Sequence, residues 1–168
     1  TYHLHLRPGE DIVAINVDHG IRGENSKHDS DFVKHFCDSN NIPLYFKAVD
    51  VPSYAKEKGY TIEQAARELR YDFFDSLLNS NKVDVIALAH HSDDQAETIF
   101  MRILRGTGIK GLVGMKDLSN RYIRPLLDYS REDINEYVRF YGLQYVDDET
   151  NEDVQYTRNL LREELKAL

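Results

Sequence analysis

Two histidines and three carboxylates are crowded into residues 90–97, which read His-His-Ser-Asp-Asp-Gln-Ala-Glu. The apolar run at 83–89 comes directly before them and predicts a buried parallel strand. Ser92 and Gln95 have the spacing of a capping box, which predicts that a helix begins there. Open α/β sheets bind ligands where a strand ends and a helix begins. Chemistry at this turn is therefore the first hypothesis.

A second candidate turn follows the strand predicted over residues 12–17, where the chain continues as Asp18-His19-Gly20. The glycine allows the backbone to pass close to a flat or phosphorylated ligand. Because the carboxyl ends of parallel strands lie at one edge of a sheet, we expect the two turns to be neighbours. The side chains expected to converge there are Asp18, His19, His90 and Asp94.

Three kinds of chemistry suit this set of side chains. His and Asp are ligands for Zn, Mn or Fe, but adjacent residues point in different directions and no i, i+4 histidine pair occurs, which disfavours a metal site made of protein alone. A nucleotide site needs a carboxylate that holds Mg²⁺ on phosphates and a helix N-terminus that faces the anion. Hydrolysis by a histidine tuned by Asp94 or Glu97 is the third. Nucleotide binding is favoured, while a metallohydrolase and a structural role stay open.

The elements that must position these residues alternate along the chain. Apolar runs predict strands over residues 12–17, 44–49, 83–89 and 122–124. Helical spacing and capping residues predict helices over 25–40, 61–77, 92–104, 130–141 and 156–168. Strands separated by helices predict an α/β fold, a doubly wound and mostly parallel sheet with helices on both faces.

Length and composition fit one domain of ordinary size, since the 168 residues are 41% hydrophobic and 30% charged. No apolar run approaches the roughly 20 residues that a membrane helix needs. The single cysteine, Cys37, excludes a disulfide within the chain and a thiolate cluster. Cys37 lies on the apolar stripe of a predicted helix, so we expect its side chain in the core. A single cysteine suits a reducing compartment, and we expect the protein in the cytoplasm.

The formal net charge of −8 argues against a protein that coats nucleic acid indiscriminately. One stretch is positively charged in this acidic chain, because residues 102–124 contain six basic side chains and one acid, Asp117. Such a stretch suits the docking of an anionic ligand, and it equally suits a solvated loop.

A series of short motifs runs through nearly the whole chain. They are Val-Asp-His-Gly-Ile-Arg-Gly at 17–23, Ala-Arg-Glu-Leu-Arg-Tyr at 66–71, the 90–98 segment, Leu-Arg-Gly-Thr-Gly at 104–108, Arg-Pro-Leu-Leu at 124–127, Ser-Arg at 130–131, Tyr-Val-Asp-Asp at 145–148 and Arg-Asn at 158–159. In type and order they closely resemble the N-type ATP-pyrophosphatase domain of the tRNA(Ile)-lysidine synthetases. The resemblance implies one domain over residues 1–168 with an adenine nucleotide alpha-hydrolase-like fold.

The same resemblance implies a ligase that modifies the wobble cytidine of an isoleucine tRNA with a CAU anticodon. ATP would adenylate the C2 oxygen of the base with loss of pyrophosphate, and the amine of L-lysine would then attack C2 and expel AMP. The implied small molecules are ATP, Mg²⁺ and L-lysine. A homodimer is one implied assembly, and no membrane is involved.

By this resemblance, Arg70 stabilises charge on the phosphorus and pyrophosphate, His90 lies close to the reacting groups, and Asp94 holds Mg²⁺ or the lysine ammonium. The residues expected to bind ATP are Val17, Asp18, His19, Gly20, Arg70 and Glu97. Those expected to bind tRNA are Arg105, Lys110, Arg124, Arg158 and Arg162.

These roles have structural alternatives. Arg67 follows Glu63 at i+4 and Arg70 follows it at i+7, so both arginines suit a surface ion pair. His91 is expected to be packed and bonded to backbone. The aromatic residues of the same predicted helix are expected in the core: Tyr71, Phe73 and Phe74.

One departure from the family concerns its glycine- and serine-rich pyrophosphate loop, of the form Ser-Gly-Gly-x-Asp-Ser, which nothing in the chain matches. Residues 1–6 resemble the tail of the helix that follows this loop. We therefore expect the chain to be a fragment without the first strand, the loop and the C-terminal tRNA-binding region, and to form no lysidine by itself.

Two rival functions stay open. A tRNA-thiolating enzyme of the same fold is expected to show paired cysteines, against the single Cys37 here. A non-catalytic module that binds a nucleotide or tRNA needs only the binding residues.

Overall fold

The computed structural model describes residues 11–21, 24–108 and 112–146, in which helices alternate with short strands. In order they are β1 (Ala14–Asp18), α1 (Glu24–Ser39), β2 (Leu44–Ala48), α2 (Val51–Lys58), α3 (Ile62–Asn79), β3 (Ile86–Ala87), α4 (Ser92–Leu104), β4 (Leu118–Ser119), β5 (Tyr122–Ile123) and α5 (Arg131–Tyr141). The chain divides after Ser80 into two units, here called the N-terminal and C-terminal units.

In the N-terminal unit, β1 pairs with β2 in parallel, from Ala14 opposite Leu44 to Asp18 opposite Ala48. Helix α1 connects the two strands, as the alternation of apolar runs predicts. Cys37 lies on α1 with 2% of its surface exposed, which confirms its predicted place in the core.

Helix α2 is absent from the sequence prediction, although its ends carry clear signals. Asp50 caps it, because the carboxylate accepts hydrogen bonds from the Ser53 backbone N–H at 3.0 Å and from the Ser53 hydroxyl at 2.7 Å. Gly59 ends it with φ of 69°. Only Val51 and Ala55 of its eight residues are buried, too few for a visible periodicity.

The capping box predicted for α3 is confirmed. The Thr61 hydroxyl accepts from the Gln64 N–H at 3.2 Å, and the Gln64 side chain accepts from the Thr61 N–H at 3.1 Å. Of the aromatic residues of α3 expected in the core, Phe74 is buried, whereas Tyr71 and Phe73 are half-buried. At the other end of α3, Ala65 joins Val51 and Ala55 in a small core.

In the C-terminal unit the strand order is β3-β5-β4, with β3 parallel to β5 and β4 antiparallel to it. Strand β3 covers two residues where sequence predicts seven, because Val85 is exposed beside Asp84 and only Ile86 and Ala87 pair. Strand β4 was not predicted. A tight turn connects β4 to β5, and it contains Asn120, whose positive φ of 55° suits such a turn.

Helix α5 is confirmed, with Ser130 as its cap and Asp133 completing the box. Among the described residues, no helix has the length and apolarity to cross a bilayer. The predicted helix at 156–168 and the predicted helix tail at 1–6 lie outside the described residues. The single-domain organisation over residues 1–168 stays a prediction.

Replacing Gly20 with alanine is expected to destabilise the chain more than replacing Gly59. Both glycines have positive φ, 63° and 69°, which costs an L-residue about 1–2 kcal/mol. A Cβ at Gly20 would also lie 3.0 Å from the carbonyl oxygen of Val49, whereas nothing lies within 4 Å of one at Gly59. Urea unfolding of the two variants measures the difference. Equal losses of unfolding free energy would contradict a role for the close approach.

Candidate functional site

The turn after β1 is held by its own polar groups. The Asp18 carboxylate accepts a hydrogen bond from the Gly20 backbone N–H at 3.0 Å, and its carbonyl accepts one from the Val49 N–H at 2.8 Å. The His19 carbonyl accepts from the N–H of Val51 at 3.3 Å. Residues 18–20 are thus tied to the start of α2. Gly20 permits the tight path, as the sequence predicts.

The charge of Arg70, on α3 of the same unit, acts on His19 in this turn. Burial is the main cause that lowers the pKa of the His19 imidazole, and the positive charge of Arg70 lowers it further, against the opposing effect of Asp18. Burial also lowers the pKa of the Arg70 guanidinium, which stays charged at neutral pH. Within the described residues, no hydrogen bond or ion pair joins Arg70 to another group. A half-buried cation beside a glycine turn can attract an anion such as phosphate.

Two polar atoms near this turn are buried with no hydrogen-bond partner: His19 Nε2 and Asn16 Oδ1. Such atoms are rare, because most buried polar groups are bonded, and they mark places where a ligand can supply the partner. Asn16 and Asp18 share one face of β1, since side chains alternate along a strand. Asn16 is not among the site residues that the sequence predicts. Its signal is a residue disfavoured in strands that sits inside an apolar run.

A groove of about 470 Å³ lies elsewhere in the N-terminal unit. Its lining residues are Tyr60, Gln64, Arg67, Glu68 and Tyr71, and none of the predicted ATP-binding residues is among them. Arg67 does not pair with Glu63 here, because its guanidinium lies over the Tyr71 ring, 4.7 Å from the centroid. Arg67 is thus engaged with Tyr71, whereas Arg70, one turn later, is the arginine whose charge acts on His19 in the turn after β1.

The predicted helix over residues 92–104 is confirmed, but the turn after β3 corrects its predicted cap. Ser92 is the first residue of α4 and His91 is the cap, so the box partner is Asp94 and not Gln95. The Asp94 carboxylate Oδ2 accepts a hydrogen bond from the His91 backbone N–H at 3.1 Å and lies 3.4 Å from His91 Nε2. His91 Nδ1 is buried with no hydrogen-bond partner. His91 is thus packed, but its ring lies against the Asp94 carboxylate and is not bonded to backbone as expected.

Glu97 lies one turn into α4 and is 2% exposed. Asp94 and Glu97 are three residues apart and so share one face of the helix. A carboxylate at this depth costs free energy unless charged or polar groups compensate for it. Within the described residues, no group of three or more His, Cys, Asp and Glu side chains is arranged to hold a metal ion.

Gln95 does not cap α4 as the sequence predicts; its side chain forms hydrogen bonds with the loop after α4. Its amide accepts from the Met115 N–H at 2.6 Å and donates to the Met115 carbonyl at 2.8 Å. Arg102 adds a hydrogen bond to the Gly114 carbonyl at 3.1 Å. Nothing in the local sequence predicts this connection, because the partners are 20 and 12 residues apart.

Arg124 connects His90 to the same loop. Its Nε donates to His90 Nδ1 at 3.3 Å, and its Nη1 donates to the Lys116 carbonyl at 2.7 Å. The side chain expected to bind tRNA is therefore engaged inside the C-terminal unit. Arg105 lies at the end of α4 and is exposed. The other residues expected to bind tRNA lie outside the described residues: Lys110, Arg158 and Arg162.

The lowered pKa of His19 makes stability depend on pH. Between its lowered pKa in the folded chain and about pH 6.5, His19 binds a proton more readily in the unfolded chain. Protonation of His19 therefore does not reduce the free energy of unfolding above about pH 6.5, and it reduces it progressively as the pH falls through this window. Urea unfolding at a series of pH values measures the slope. His19→Gln should reduce the slope, and His28→Gln, at an exposed histidine of α1, should leave it unchanged.

A sequence model for the PP-loop domain matches residues 2–168, so the chain belongs to the PP-loop domain family. Its relatives include the tRNA(Ile)-lysidine synthase of Thermotoga sp. (strain RQ2), 45% identical over 157 residues that cover 94% of this chain and 38% of the relative. The enzyme of that name from Clostridium tetani is 42% identical over 165 residues, 98% of this chain and 35% of the relative. These matches confirm the resemblance seen in the motifs. The chain spans about a third of the length of these relatives.

The solved structure of the U34-tRNA thiolase NcsA from Methanococcus maripaludis, with its [4Fe-4S] cluster, superposes with a TM-score of 0.72 at 18% sequence identity. The match covers 94% of this chain and 55% of the thiolase chain. At this identity the likeness concerns the fold alone. It confirms the predicted α/β fold class.

Proposed function

We propose that this chain is the ATP-using domain of a ligase that forms lysidine on an isoleucine tRNA. The observation that carries the proposal is its identity of 42–45%, over nearly all its residues, with relatives named tRNA(Ile)-lysidine synthase. The thiolase shares the fold at much lower identity. Burial of Cys37 raises the pKa of its thiol, so that the thiolate a sulfur carrier needs is disfavoured.

The N-terminal unit supplies the groups proposed to hold ATP. Residues 17–20 lie along the adenosine, and the buried polar atoms of Asn16 and His19 offer partners for its hydrogen bonds. Arg70 stabilises the negative charge that grows on the α-phosphate and on the departing pyrophosphate. Burial of the Arg70 guanidinium strengthens its attraction to the phosphates, because two charges interact more strongly in a low dielectric than in water.

In the C-terminal unit, Asp94 and Glu97 are the side chains proposed to bind a cation. Asp94 is already oriented by two contacts with His91, and Mg²⁺ commonly binds through one or two carboxylates together with substrate phosphates and water. Asp94 fits that mode, and Glu97 lies on the same helix face. When bound, the ion would neutralise charge on the phosphates. The lysine ammonium is the other cation that these two carboxylates suit.

The proposed reaction has two balanced steps. The C2 oxygen of the wobble cytidine attacks the α-phosphorus of ATP, a P–O bond forms, and the bond to the β-phosphate breaks with release of pyrophosphate. The lysine amine then attacks C2 and loses a proton, while the C2–O bond breaks and AMP leaves. The tRNA is proposed to have a CAU anticodon and to contact Arg105, Lys110, Arg158 and Arg162 through its phosphates. Homodimer formation and a cytoplasmic location complete the proposal.

The test uses the protein encoded by the complete reading frame that contains these residues. It is incubated with ATP, Mg²⁺, L-lysine and an isoleucine tRNA transcript with a CAU anticodon, and the digested nucleosides are analysed by mass spectrometry. Lysidine that depends on both ATP and lysine supports the proposal. Its absence, a thiolated nucleoside, or ATP binding without turnover contradicts it.

A further inference from the structure

The contact between Arg124 and His90 fixes which ring nitrogen carries a proton. Arg124 remains a guanidinium at any ordinary pH and has only N–H donors. Its Nε–H donates to His90 Nδ1 at 3.3 Å, so Nδ1 must present a lone pair. A histidine with an acceptor at Nδ1 is neutral and carries its proton at Nε2.

The guanidinium that imposes this tautomer is itself held in place. Arg124 Nη1 donates to the Lys116 carbonyl at 2.7 Å, and the Arg124 backbone N–H donates to the Asp117 carbonyl at 2.9 Å. The loop that carries these carbonyls is bonded to α4 by Gln95 and Arg102. Arg124 and His90 are both half-buried, so water competes weakly for their hydrogen bond.

We propose that Arg124 is a positioning residue that holds His90 as the neutral Nε2–H tautomer. His90 then acts as a hydrogen-bond donor to an anionic oxygen, and it is not the base that accepts a proton in the reaction. That this oxygen belongs to the phosphate of ATP or of the adenylated base rests on the function proposed above. The tautomer itself follows from contacts within the C-terminal unit. Arg124 thus acts on the reaction through His90, and not through tRNA phosphate.

The direct test is ¹⁵N NMR of the histidine rings, which distinguishes a protonated from an unprotonated nitrogen, on the full protein with ¹⁵N-histidine. His90 is assigned by comparison with His90→Gln. In the wild type, the proton is expected on Nε2 and the lone pair on Nδ1 at neutral pH. In Arg124→Met the His90 signals should move to an average of the two tautomers. Arg124→Lys should restore part of the wild-type pattern.

The matched control is Arg139→Met, which removes the same charge from the same unit. Arg139 is exposed and donates only to the Asn135 carbonyl of its own helix, at 3.3 Å, among the contacts of the described residues. Its substitution should leave the His90 signals unchanged. A wild-type ring protonated at Nδ1, or a His90 pattern unaffected by Arg124→Met, overturns the proposal. If Arg124→Met does not fold, the wild-type pattern and Arg124→Lys decide.

A kinetic measurement separates this proposal from the proposed function. In the active enzyme, Arg124→Met should lower kcat for pyrophosphate release by about 10- to 100-fold, the usual cost of removing a group that orients a functional histidine. The KM for ATP should change by less than about 3-fold, because a donor that acts in the transition state affects kcat. A loss confined to KM for tRNA would instead identify Arg124 as a tRNA contact and overturn the proposal. Absence of lysidine in the wild type would refute the function and leave the tautomer result standing.

Discussion

Replacing Arg70 with methionine is expected to lower the rate of pyrophosphate release by about 10²- to 10³-fold, as removal of one charge-stabilising donor does in other enzymes. Arg70 is half-buried beside the turn after β1, and its charge reaches His19. Methionine keeps the apolar length of the side chain and removes the charge, so packing on α3 should survive. The measurement is release of pyrophosphate by the complete enzyme at saturating ATP, with folding checked by thermal melting.

Arg67→Met is the matched control for this substitution. Arg67 precedes Arg70 by one turn of α3, is exposed, and covers the Tyr71 ring. Its loss should change the rate by less than about 3-fold, because an exposed cation is screened by water. Arg70→Lys should recover only part of the rate, since an ammonium cannot form two parallel hydrogen bonds to a phosphate. Equal effects of the Arg67 and Arg70 substitutions would remove Arg70 from its proposed role.

Asp94→Asn is expected to reduce lysidine formation by at least about 10²-fold, comparable to loss of one electrostatic group in an active site. Asparagine has nearly the same shape and can still accept the hydrogen bond from the His91 backbone, so the start of α4 should remain intact. What it lacks is the negative charge for Mg²⁺ or the lysine ammonium. Raising the Mg²⁺ or the lysine concentration shows which cation depends on Asp94, because only the affected one should partly restore the rate.

Asp93→Asn provides the control at the neighbouring position. Asp93 lies in the same first turn of α4 and is exposed. The Asp93→Asn substitution removes one charge near the same helix N-terminus as Asp94→Asn does, so any general effect on the helix dipole is shared by both variants. Lysidine formation should fall by less than about 3-fold. Near-normal activity of Asp94→Asn would exclude Asp94 from the proposed chemistry.

Local signals predict four of the helices that the structure describes, α1, α3, α4 and α5. The caps at Thr61 and Ser130 are local hydrogen bonds between residues three apart, so the sequence contains all that determines them. The turn after β1 was also predictable, because an apolar strand that ends in Asp-His-Gly defines it. Arg70 was assigned only through the resemblance, and the structure places its charge beside His19.

The remaining features depend on contacts between distant residues. The cap of α4 lies one position before the predicted one: Ser92 suits a cap by residue type, but its backbone N–H donates to the Tyr129 carbonyl at 2.9 Å, and His91 is the cap. The hydrogen bond from Arg124 to His90 joins residues 34 apart, and no periodicity or spacing reveals such a pair. Strand β3 is short for the same reason, since pairing with β5 decides its length.

The side-chain amide of Gln95 presents an N–H donor beside a carbonyl acceptor, as a peptide group does. Met115 bonds to both, as it would to an adjacent strand, and a Cβ on Gly114 would come within 2.6–2.8 Å of that amide. One side chain thus satisfies both backbone polar groups of Met115. Helix α4 therefore fixes the position of the segment that leads into the β4–β5 hairpin.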